Sequence, residues 1–146
     1  MKKEHPTVSI PIRRATKHDN RMVIRLWVCS VRCVEASALI DTGADSIYIS
    51  PSLARRCGAA MKSRGRPITI GKKTKRIARR VGVVLRTRTT KAAAVAWVIS
   101  PWSNKRTENK TDIVLGMEWL RSFHAMIDTK RRILIIEKRT DVRVLR

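Results

Sequence analysis

Short runs of alternating apolar and polar residues, separated by turn residues, dominate the chain and predict a protein built mainly of β-strands. The dense β-branched and aromatic run from Met22 to Ile40 predicts two strands or one long bent strand. Further strands are predicted at residues 46–50, 67–70, 81–85, 92–99 and 112–116, with a terminal hairpin formed by residues 126–128 and 132–137. Many short strands of this kind favour an all-β barrel or sandwich.

Two short helices are predicted between the strands. Residues 52–58 carry helix signals at both ends, with Ser50 or Ser52 as the N-cap and Gly58 at the carboxyl end. Residues 117–123 have helical spacing. Both helices are short connections between strands, so the predicted fold class remains all-β.

The distribution of polar, basic and apolar residues along the chain also predicts its domain organisation. Residues 1–20 are polar and basic and contain two prolines, which predicts an arm with one short strand at residues 8–10. Residues 21–137 form the predicted folded domain, and residues 138–146 form a basic tail. A chain of 146 residues fits a single domain of this kind.

The composition adds an extreme positive charge to this picture. Lys and Arg number 33 against 11 Asp and Glu, which gives a net charge of +22, while 43% of residues are apolar. Enough apolar surface for a core excludes a disordered polyelectrolyte, and the longest apolar stretch, residues 92–99, is too short to span a membrane. Residues 61–91 hold 12 basic residues and no acid, so affinity for RNA or another polyanion is expected as a further property.

The three cysteines favour reduced thiols. Cys29, Cys33 and Cys57 are an odd number at low density, unlike a secreted disulfide scaffold, and no apolar run follows the amino terminus as in a signal peptide. An intracellular protein is therefore expected. Cys29 and Cys33 are placed on one face of a continuous strand, and a zinc site would need two more ligands, so neither metal nor cofactor is expected.

The sharpest chemical feature is the segment Ala-Leu-Ile-Asp-Thr-Gly-Ala-Asp-Ser at residues 38–46. An apolar run delivers Asp41 into a tight turn. Thr42 can hydrogen-bond neighbouring backbone, and Gly43 lets the backbone and a substrate approach closely. This arrangement is suited to holding one carboxylate rigidly at the floor of a cleft.

Residues 41–44 and their apolar lead-in resemble the active-site loop of retropepsin-type aspartic proteases. A second segment, Asp-Ile-Val-Leu-Gly-Met-Glu-Trp-Leu at residues 112–120, resembles the strand and following helix near the end of that fold. The Gly-Met-acid-Trp-Leu form and the segment at residues 127–132 are similar to the Ty3/gypsy class of retrotransposon proteases. The resemblance covers roughly residues 20–137 and implies an all-β acid-protease barrel monomer with a flap hairpin and one short carboxyl-terminal helix.

The resemblance also implies a mechanism and a set of site residues. Two carboxylates that share one proton activate a water for peptide hydrolysis. The chain has one Asp-Thr-Gly, so the second carboxylate is expected to be Asp41 of another copy in a homodimer. Thr42 would interlock with its mate, Gly43 would take substrate backbone contacts, Ala44 would bind substrate, and Asp45 would bind the substrate backbone or hold the interface.

The flap hairpin is expected around Gly71. Its tip is placed within residues 70–74, so that Ile70, Gly71, Lys72 and Lys73 would contact the substrate. The implied function is an aspartic endopeptidase that cleaves a retroelement polyprotein, in the cytoplasm or in a virus-like particle.

Several alternatives stay open at this level. Asp41 could be an ordinary turn carboxylate, and Asp45 could be part of a surface ion pair. The chain could be an inactive family member that serves as a basic dimerisation or nucleic-acid-binding module, or a plain RNA-binding barrel. A Ser-His-Asp or Cys-His enzyme built on His124 lacks a nucleophile motif. Trp27, Trp97 and Trp119 are expected in the core, and Trp102 is expected to be exposed, where it could stack on bases.

Overall fold

The structure is a computed structural model that describes residues 5–61, 64–70, 74–102 and 111–138. These residues form a mainly β protein with two short helices, as the sequence predicts. The strands are β1 (Thr7–Pro11), β2 (Arg13–Thr16), β3 (Asp19–Cys29), β4 (Cys33–Ile40), β5 (Ile47–Ile49), β6 (Arg66–Ile70), β7 (Thr74–Arg86), β8 (Lys91–Ser100), β9 (Ile113–Leu115), β10 (Met126–Asp128) and β11 (Ile133–Glu137). The helices are α1 (Pro51–Cys57) and α2 (Met117–Ser122).

The larger sheet closes into a barrel. Its strands follow the order β2-β3-β4-β9-β5-β8-β7-β6. The barrel closes because the carboxyl-terminal end of β7 also pairs with β3, where Val28 lies opposite Leu85. The β4–β9 and β5–β8 pairs are parallel. Alternate side chains point into the barrel, where residues such as Leu26, Ile49 and Leu115 are fully buried. The closed barrel gives the loop after β4 a rigid support.

The first residues are more structured than the predicted arm. Strand β1 pairs antiparallel with β11, and β2 pairs with β3. Ile10, Ile12 and Ala15 are buried, so this segment contributes to the core. The prolines did not prevent strand formation, because Pro11 occupies the last position of β1, which is the outer strand of its sheet.

The smaller sheet has the order β1-β11-β10. The predicted terminal hairpin is confirmed as β10 and β11, in which Ile127 pairs with Leu134. Strand β10 lies at the edge of the described sheet and begins almost directly after α2.

Helix α1 begins and ends as its sequence predicts. The Ser50 hydroxyl accepts a hydrogen bond from the Leu53 backbone N–H at 3.0 Å and donates one to Asp112 at 2.9 Å. Gly58 ends the helix in a left-handed conformation with a φ of 74°. Arg56 forms an ion pair with the second Asp112 oxygen at 2.9 Å. These contacts tie α1 to the start of β9.

The prediction for two of the cysteines is wrong. Cys29 and Cys33 lie opposite one another across the β3–β4 hairpin and form a disulfide, with 4.0 Å between their Cα atoms. Their spacing of four fits a hairpin closure as well as one face of a single strand, and the sequence pattern did not separate these cases. Cys57 is a free and buried thiol.

Residues 71–73, 103–110 and 139–146 lie outside the described part of the chain, and so do residues 1–4, 62 and 63. The predicted flap tip at Gly71, Lys72 and Lys73 and nearly all of the predicted tail therefore lie there. Neither described helix is long and apolar enough to cross a membrane.

Candidate active site

Asp41 directly follows β4 at the edge of the barrel. Its backbone N–H donates to the Leu115 carbonyl on the parallel neighbour β9 at 3.1 Å. One carboxylate oxygen accepts a hydrogen bond from the Gly43 N–H at 2.9 Å, and the Asp41 carbonyl accepts from Ala44 at 3.2 Å. Asp41 is half-buried, while Thr42 and Gly43 are exposed. The turn therefore holds a carboxylate in a fixed orientation and still presents it to the surface.

The next residues of this loop are bound to the start of α2. Three N–H groups donate to three loop carbonyls: Gly116 to Ser46 at 3.0 Å, Met117 to Ala44 at 2.8 Å and Glu118 to Asp45 at 2.9 Å. The first N–H groups of a helix have no partner within the helix, so the loop satisfies them. A distant segment thereby fixes the position of the Asp41 loop.

This contact requires glycine at position 116. A Cβ there would lie 2.4 Å from the Ser46 carbonyl oxygen and 2.6 Å from the Ala44 carbonyl oxygen. The backbone at Gly116 is extended, with a φ of −90°, so the requirement comes from crowding and not from an unusual conformation. Gly116, which lies within the segment at residues 112–120 that resembles retropepsin-type proteases, thus supports the loop directly.

Asp45 is exposed and forms a short hydrogen bond with the chain's single tyrosine. The Tyr48 hydroxyl donates to the Asp45 carboxylate at 2.6 Å. This bond holds the pKa of the Asp45 carboxyl below its usual value of 3.8. Burial, together with the hydrogen bond to Asp45 and its negative charge, raises the pKa of Tyr48 to about 12. Asp45 therefore remains ionised to a lower pH than an ordinary aspartate does, and Tyr48 remains a donor at every ordinary pH.

The tyrosine absorbance of the folded protein is expected to titrate with a midpoint near pH 12, above the ordinary value of 10.0. Asp45→Asn should lower this midpoint without returning it to the ordinary value, because burial of Tyr48 persists and is the largest cause of the shift.

The pair of Asp45 and Tyr48 stabilises the fold at pH values between the two titrations. The contribution of Asp45 is lost as pH falls through its lowered pKa, and the contribution of Tyr48 is lost as pH rises through its raised pKa. The measurement is absorbance against pH, with circular dichroism to verify folding and Asp128→Asn as a control. A midpoint near 10 in folded wild type would contradict the contact.

A row of outward-facing side chains runs across the barrel beside the Asp41 loop. Strand register places Leu39 next to Val114, Val114 next to Tyr48, Tyr48 next to Trp97, and Trp97 next to Arg80. Leu39, Val114, Tyr48 and Trp97 are all half-buried, whereas their chain neighbours Ile40, Ile47 and Val98 point into the core. We call Leu39, Val114, Tyr48, Trp97 and Arg80 the outer row. It begins two residues before Asp41 and offers a largely apolar surface.

The sequence does not reveal the outer row, because its members come from five strands and meet only through register. The single signal is the alternation within each strand, which predicts that these positions share the face opposite the core. Trp97 and Trp27 were expected in the core and are instead half-buried on the outer face, where arginine side chains contact their rings. Trp119 is buried as predicted. Trp102, expected to be exposed, is half-buried and donates from its indole nitrogen to the Thr111 carbonyl at 3.0 Å.

The predicted flap corresponds to the β6–β7 hairpin. The register runs from Arg66 opposite Ala78 to Ile70 opposite Thr74, so β6 ends and β7 begins next to the predicted tip, which itself stays a prediction. Ile70 ends β6, and Gly71, Lys72 and Lys73 lie outside the described residues. The structure thus brings Asp41, Thr42, Gly43, Ala44 and Asp45 together in one loop. The second strand of the hairpin, β7, continues into the barrel and carries Arg80, the last residue of the outer row.

Two other carboxylates, Asp128 and Glu118, have partners within the chain. Asp128 accepts a hydrogen bond from the Arg131 N–H at 2.9 Å within the terminal hairpin. Glu118 accepts one from the Ser46 hydroxyl at 3.4 Å. Within the described ranges, no group of three or more His, Cys, Asp or Glu side chains is placed to hold a metal ion.

Solved structures with the same architecture are retropepsin-like proteases. A retropepsin-like aspartic protease from Rickettsia conorii has a TM-score of 0.62 and 19% identity, and the match covers 94% of this chain and 96% of that one. The retroviral protease-like domain of Ddi1 from Leishmania major has a TM-score of 0.58 and 20% identity, covering 78% of this chain and 87% of that one. The fold is therefore that of a retropepsin-like aspartic protease.

The family assignment comes from the sequence itself. Residues 29–122, more than half of the chain, match the family described as "gag-polyprotein putative aspartyl protease". The chain belongs to this family. No curated protein matches the sequence.

Proposed function

We propose that the protein is an aspartic endopeptidase whose active site combines Asp41 from two copies of the chain. The observation that carries this proposal is the Asp41 turn, in which a half-buried carboxylate is oriented by the Gly43 N–H at 2.9 Å. Two such carboxylates in contact cannot both ionise, so they share one proton. One then accepts a proton from the attacking water while the other donates to the peptide carbonyl. Hydrolysis should accordingly be faster at mildly acidic than at alkaline pH.

A second copy is needed because one chain supplies one carboxylate of this kind. The sequence contains a single Asp-Thr-Gly, and Asp45, Glu118 and Asp128 already have partners within the chain. The exposed position of Thr42 and Gly43 leaves the loop open to a symmetric mate. The β10 edge offers a further contact surface, since Met126 is 61% exposed and edge strands present unpaired backbone groups.

The substrate in this proposal is an extended peptide that lies along the outer row. Its side chains would pack on Leu39, Val114 and Tyr48, and the β6–β7 hairpin with Ile70, Gly71, Lys72 and Lys73 at its turn would cover it. Gly43, Ala44 and Asp45 would contact its backbone. Closure by the hairpin would exclude water from the reacting carboxylates.

The biological setting that fits this family is processing of a retroelement polyprotein of the Ty3/gypsy type, in the cytoplasm or in a virus-like particle. The family match to a gag-polyprotein protease supports this setting. A protein that works beside packaged RNA has a use for a positively charged surface, and a net charge of +22 is consistent with it.

A second candidate is a basic nucleic-acid-binding or dimerisation module without catalysis. The observation that favours it is the absence of any acidic residue from position 46 to 107, a segment whose exposed residues include Arg79, Arg86 and Lys91. Arginine beside half-buried tryptophan, as at Arg86 and Trp27, also suits stacking on single-stranded bases.

An unbiased peptide library at mildly acidic pH and raised salt tests the proposal. Salt is included because it screens the repulsion between two strongly cationic copies. We expect cleavage at a limited set of sites, with a specific activity that rises with protein concentration as dimers assemble. A folded dimer, demonstrated by sedimentation, that cleaves nothing would contradict the proposal and favour the non-catalytic module.

A further inference from the structure

The far end of the outer row, away from Asp41, is cationic. Trp97 is flanked by two arginines: the guanidinium carbon of Arg66 lies 4.4 Å from the ring centroid, and that of Arg80 lies 5.8 Å from it. Arg66 belongs to β6, the first strand of the hairpin, and Arg80 pairs with Trp97 in the strand register. Two guanidinium groups from different strands therefore converge on one ring.

The stacked position of Arg66 leaves its hydrogen-bonding capacity available. The contact with the Trp97 ring is made by the charge of the guanidinium and not by a hydrogen bond, so it does not use the five N–H donors of Arg66. Among the described residues, no carboxylate forms an ion pair with Arg66. Arg66 is exposed. The stacking contact thus fixes an arginine that is not neutralised by a carboxylate in this part of the chain.

The position of this arginine relative to Asp41 can be estimated from the sheet. Asp41 follows β4, and Trp97 lies three strands away through β9 and β5. Neighbouring strands are about 4.8 Å apart, so the path along the sheet is about 15 Å. An extended peptide spans about 3.3 Å per residue, so this path corresponds to about four residues, and the curvature of the barrel can only shorten it; Trp97 therefore corresponds to a substrate position within about four residues of the cleaved bond.

We propose that Arg66, held against Trp97, binds the carboxylate of an Asp or Glu side chain of the peptide substrate and makes the enzyme selective for acidic residues on one side of the cleaved bond. This inference rests on the proposed function. Arg66 pairs with the carboxylate through two parallel N–H groups, an arrangement that its planar fork favours. Arg80 adds positive charge at the same ring, and the apolar outer row holds the rest of the peptide.

The chemistry of this position favours an acidic peptide over an apolar one. An apolar side chain would cover the guanidinium edges and leave their donors without partners, which is unfavourable. A basic side chain would be repelled by two arginines. An acidic side chain satisfies the donors and neutralises part of a segment that holds no acid from residue 46 to 107.

The test compares wild type with Arg66→Gln in the same peptide library. In wild type, Asp and Glu should be enriched at one position within about four residues of the cleaved bond. A peptide pair differing only by Glu or Gln at that position should then differ about tenfold in kcat/KM, mainly through KM, since a partly exposed charged hydrogen bond contributes on that scale. Arg66→Gln should bring the ratio close to one, and Arg66→Glu should favour a Lys-bearing peptide instead.

Arg86→Gln is the matched control. Arg86 also lies over a tryptophan, at 5.7 Å from the Trp27 centroid, but it is six positions beyond Arg80 along β7, which corresponds to about 20 Å. This variant removes the same charge and should retain the full Glu over Gln preference. Arg66→Gln and Arg86→Gln should give unchanged circular dichroism and sedimentation, since both side chains are exposed.

The outcomes separate this inference from the proposed function. Cleavage that depends on Asp41 but shows no acidic preference, or a preference that Arg66→Gln retains, would overturn the inference alone. Absence of cleavage by a folded wild-type dimer would overturn both. A preference lost equally in Arg86→Gln would also contradict the inference, because it would indicate a general effect of net charge.

Discussion

Replacing Asp41 by asparagine is expected to abolish peptide hydrolysis while leaving the fold and the dimer intact. In the proposed mechanism the amide removes the carboxylate that exchanges a proton with water, and general acid–base catalysis contributes roughly a hundredfold to ten-thousandfold to a rate. The asparagine side-chain oxygen can still accept the Gly43 N–H, which lies 2.9 Å from the present carboxylate oxygen. The turn should therefore keep its shape. The measurement is the rate of cleavage of a peptide chosen from the library, with wild type and variant at equal dimer concentration.

Mixing the two proteins tests whether the site is shared. If each active site needs Asp41 from both copies, an equal amount of Asp41→Asn added to wild type should reduce the activity to about half, because mixed dimers form at the expense of active ones. A large excess of the variant should suppress activity almost completely. An enzyme that works with one chain would keep its full activity in the mixture, and that result would contradict the shared site.

Asp128→Asn provides the matched control. Asp128 precedes a threonine, as Asp41 does, but its carboxylate accepts a hydrogen bond from Arg131 inside the terminal hairpin. This variant should cleave at the wild-type rate. Loss of activity in Asp128→Asn at unchanged stability would mean that the catalytic carboxylates had been assigned wrongly.

The parts of the site that the sequence predicts are those built from adjacent residues. Residues 41–45 lie in one turn, and a turn with aspartate, hydroxyl and glycine carries its geometry locally. The Leu-Gly pair before α2 is also visible, because Gly116 interrupts an apolar strand at a helix start. The strand and helix boundaries around them follow from alternation and capping residues, as the Ser50 N-cap and Gly58 show.

The parts that the sequence does not predict depend on register between distant strands. The stacking of Arg66 on Trp97 joins residues 31 positions apart, and neither has a local signal for the other. Ile10 is buried because β1 pairs with β11 at the other end of the chain, which a reading of the first twenty residues alone cannot show. The Cys29–Cys33 disulfide depends on a hairpin turn at residues 30–32 that the apolar pattern left open.

Gly116→Ala is expected to be the most damaging small substitution near the site. The added Cβ would lie 2.4 Å from the Ser46 carbonyl oxygen, 2.6 Å from the Ala44 oxygen and 2.8 Å from the Ala44 carbonyl carbon. All three are backbone atoms, and both oxygens accept hydrogen bonds from Gly116 and Met117, so relief of the clash must weaken those bonds. We expect a loss of roughly 2–4 kcal/mol in the free energy of unfolding, measured by urea denaturation.

The same substitution should reduce activity beyond its effect on stability. The displaced carbonyls belong to the loop that carries Asp41, and a catalytic group that shifts by about 1 Å can lose about a hundredfold in rate. The cleavage rate is therefore to be measured well below the urea midpoint, where Gly116→Ala remains folded. Gly82→Ala is the control: a Cβ at this position on the outer face of β7 meets no other atom within 4 Å. It should leave activity unchanged and raise stability by about 0.5 kcal/mol, since glycine is unfavourable within a strand. Equal stability of the two variants would show that the loop and α2 are not held together as the structure has them.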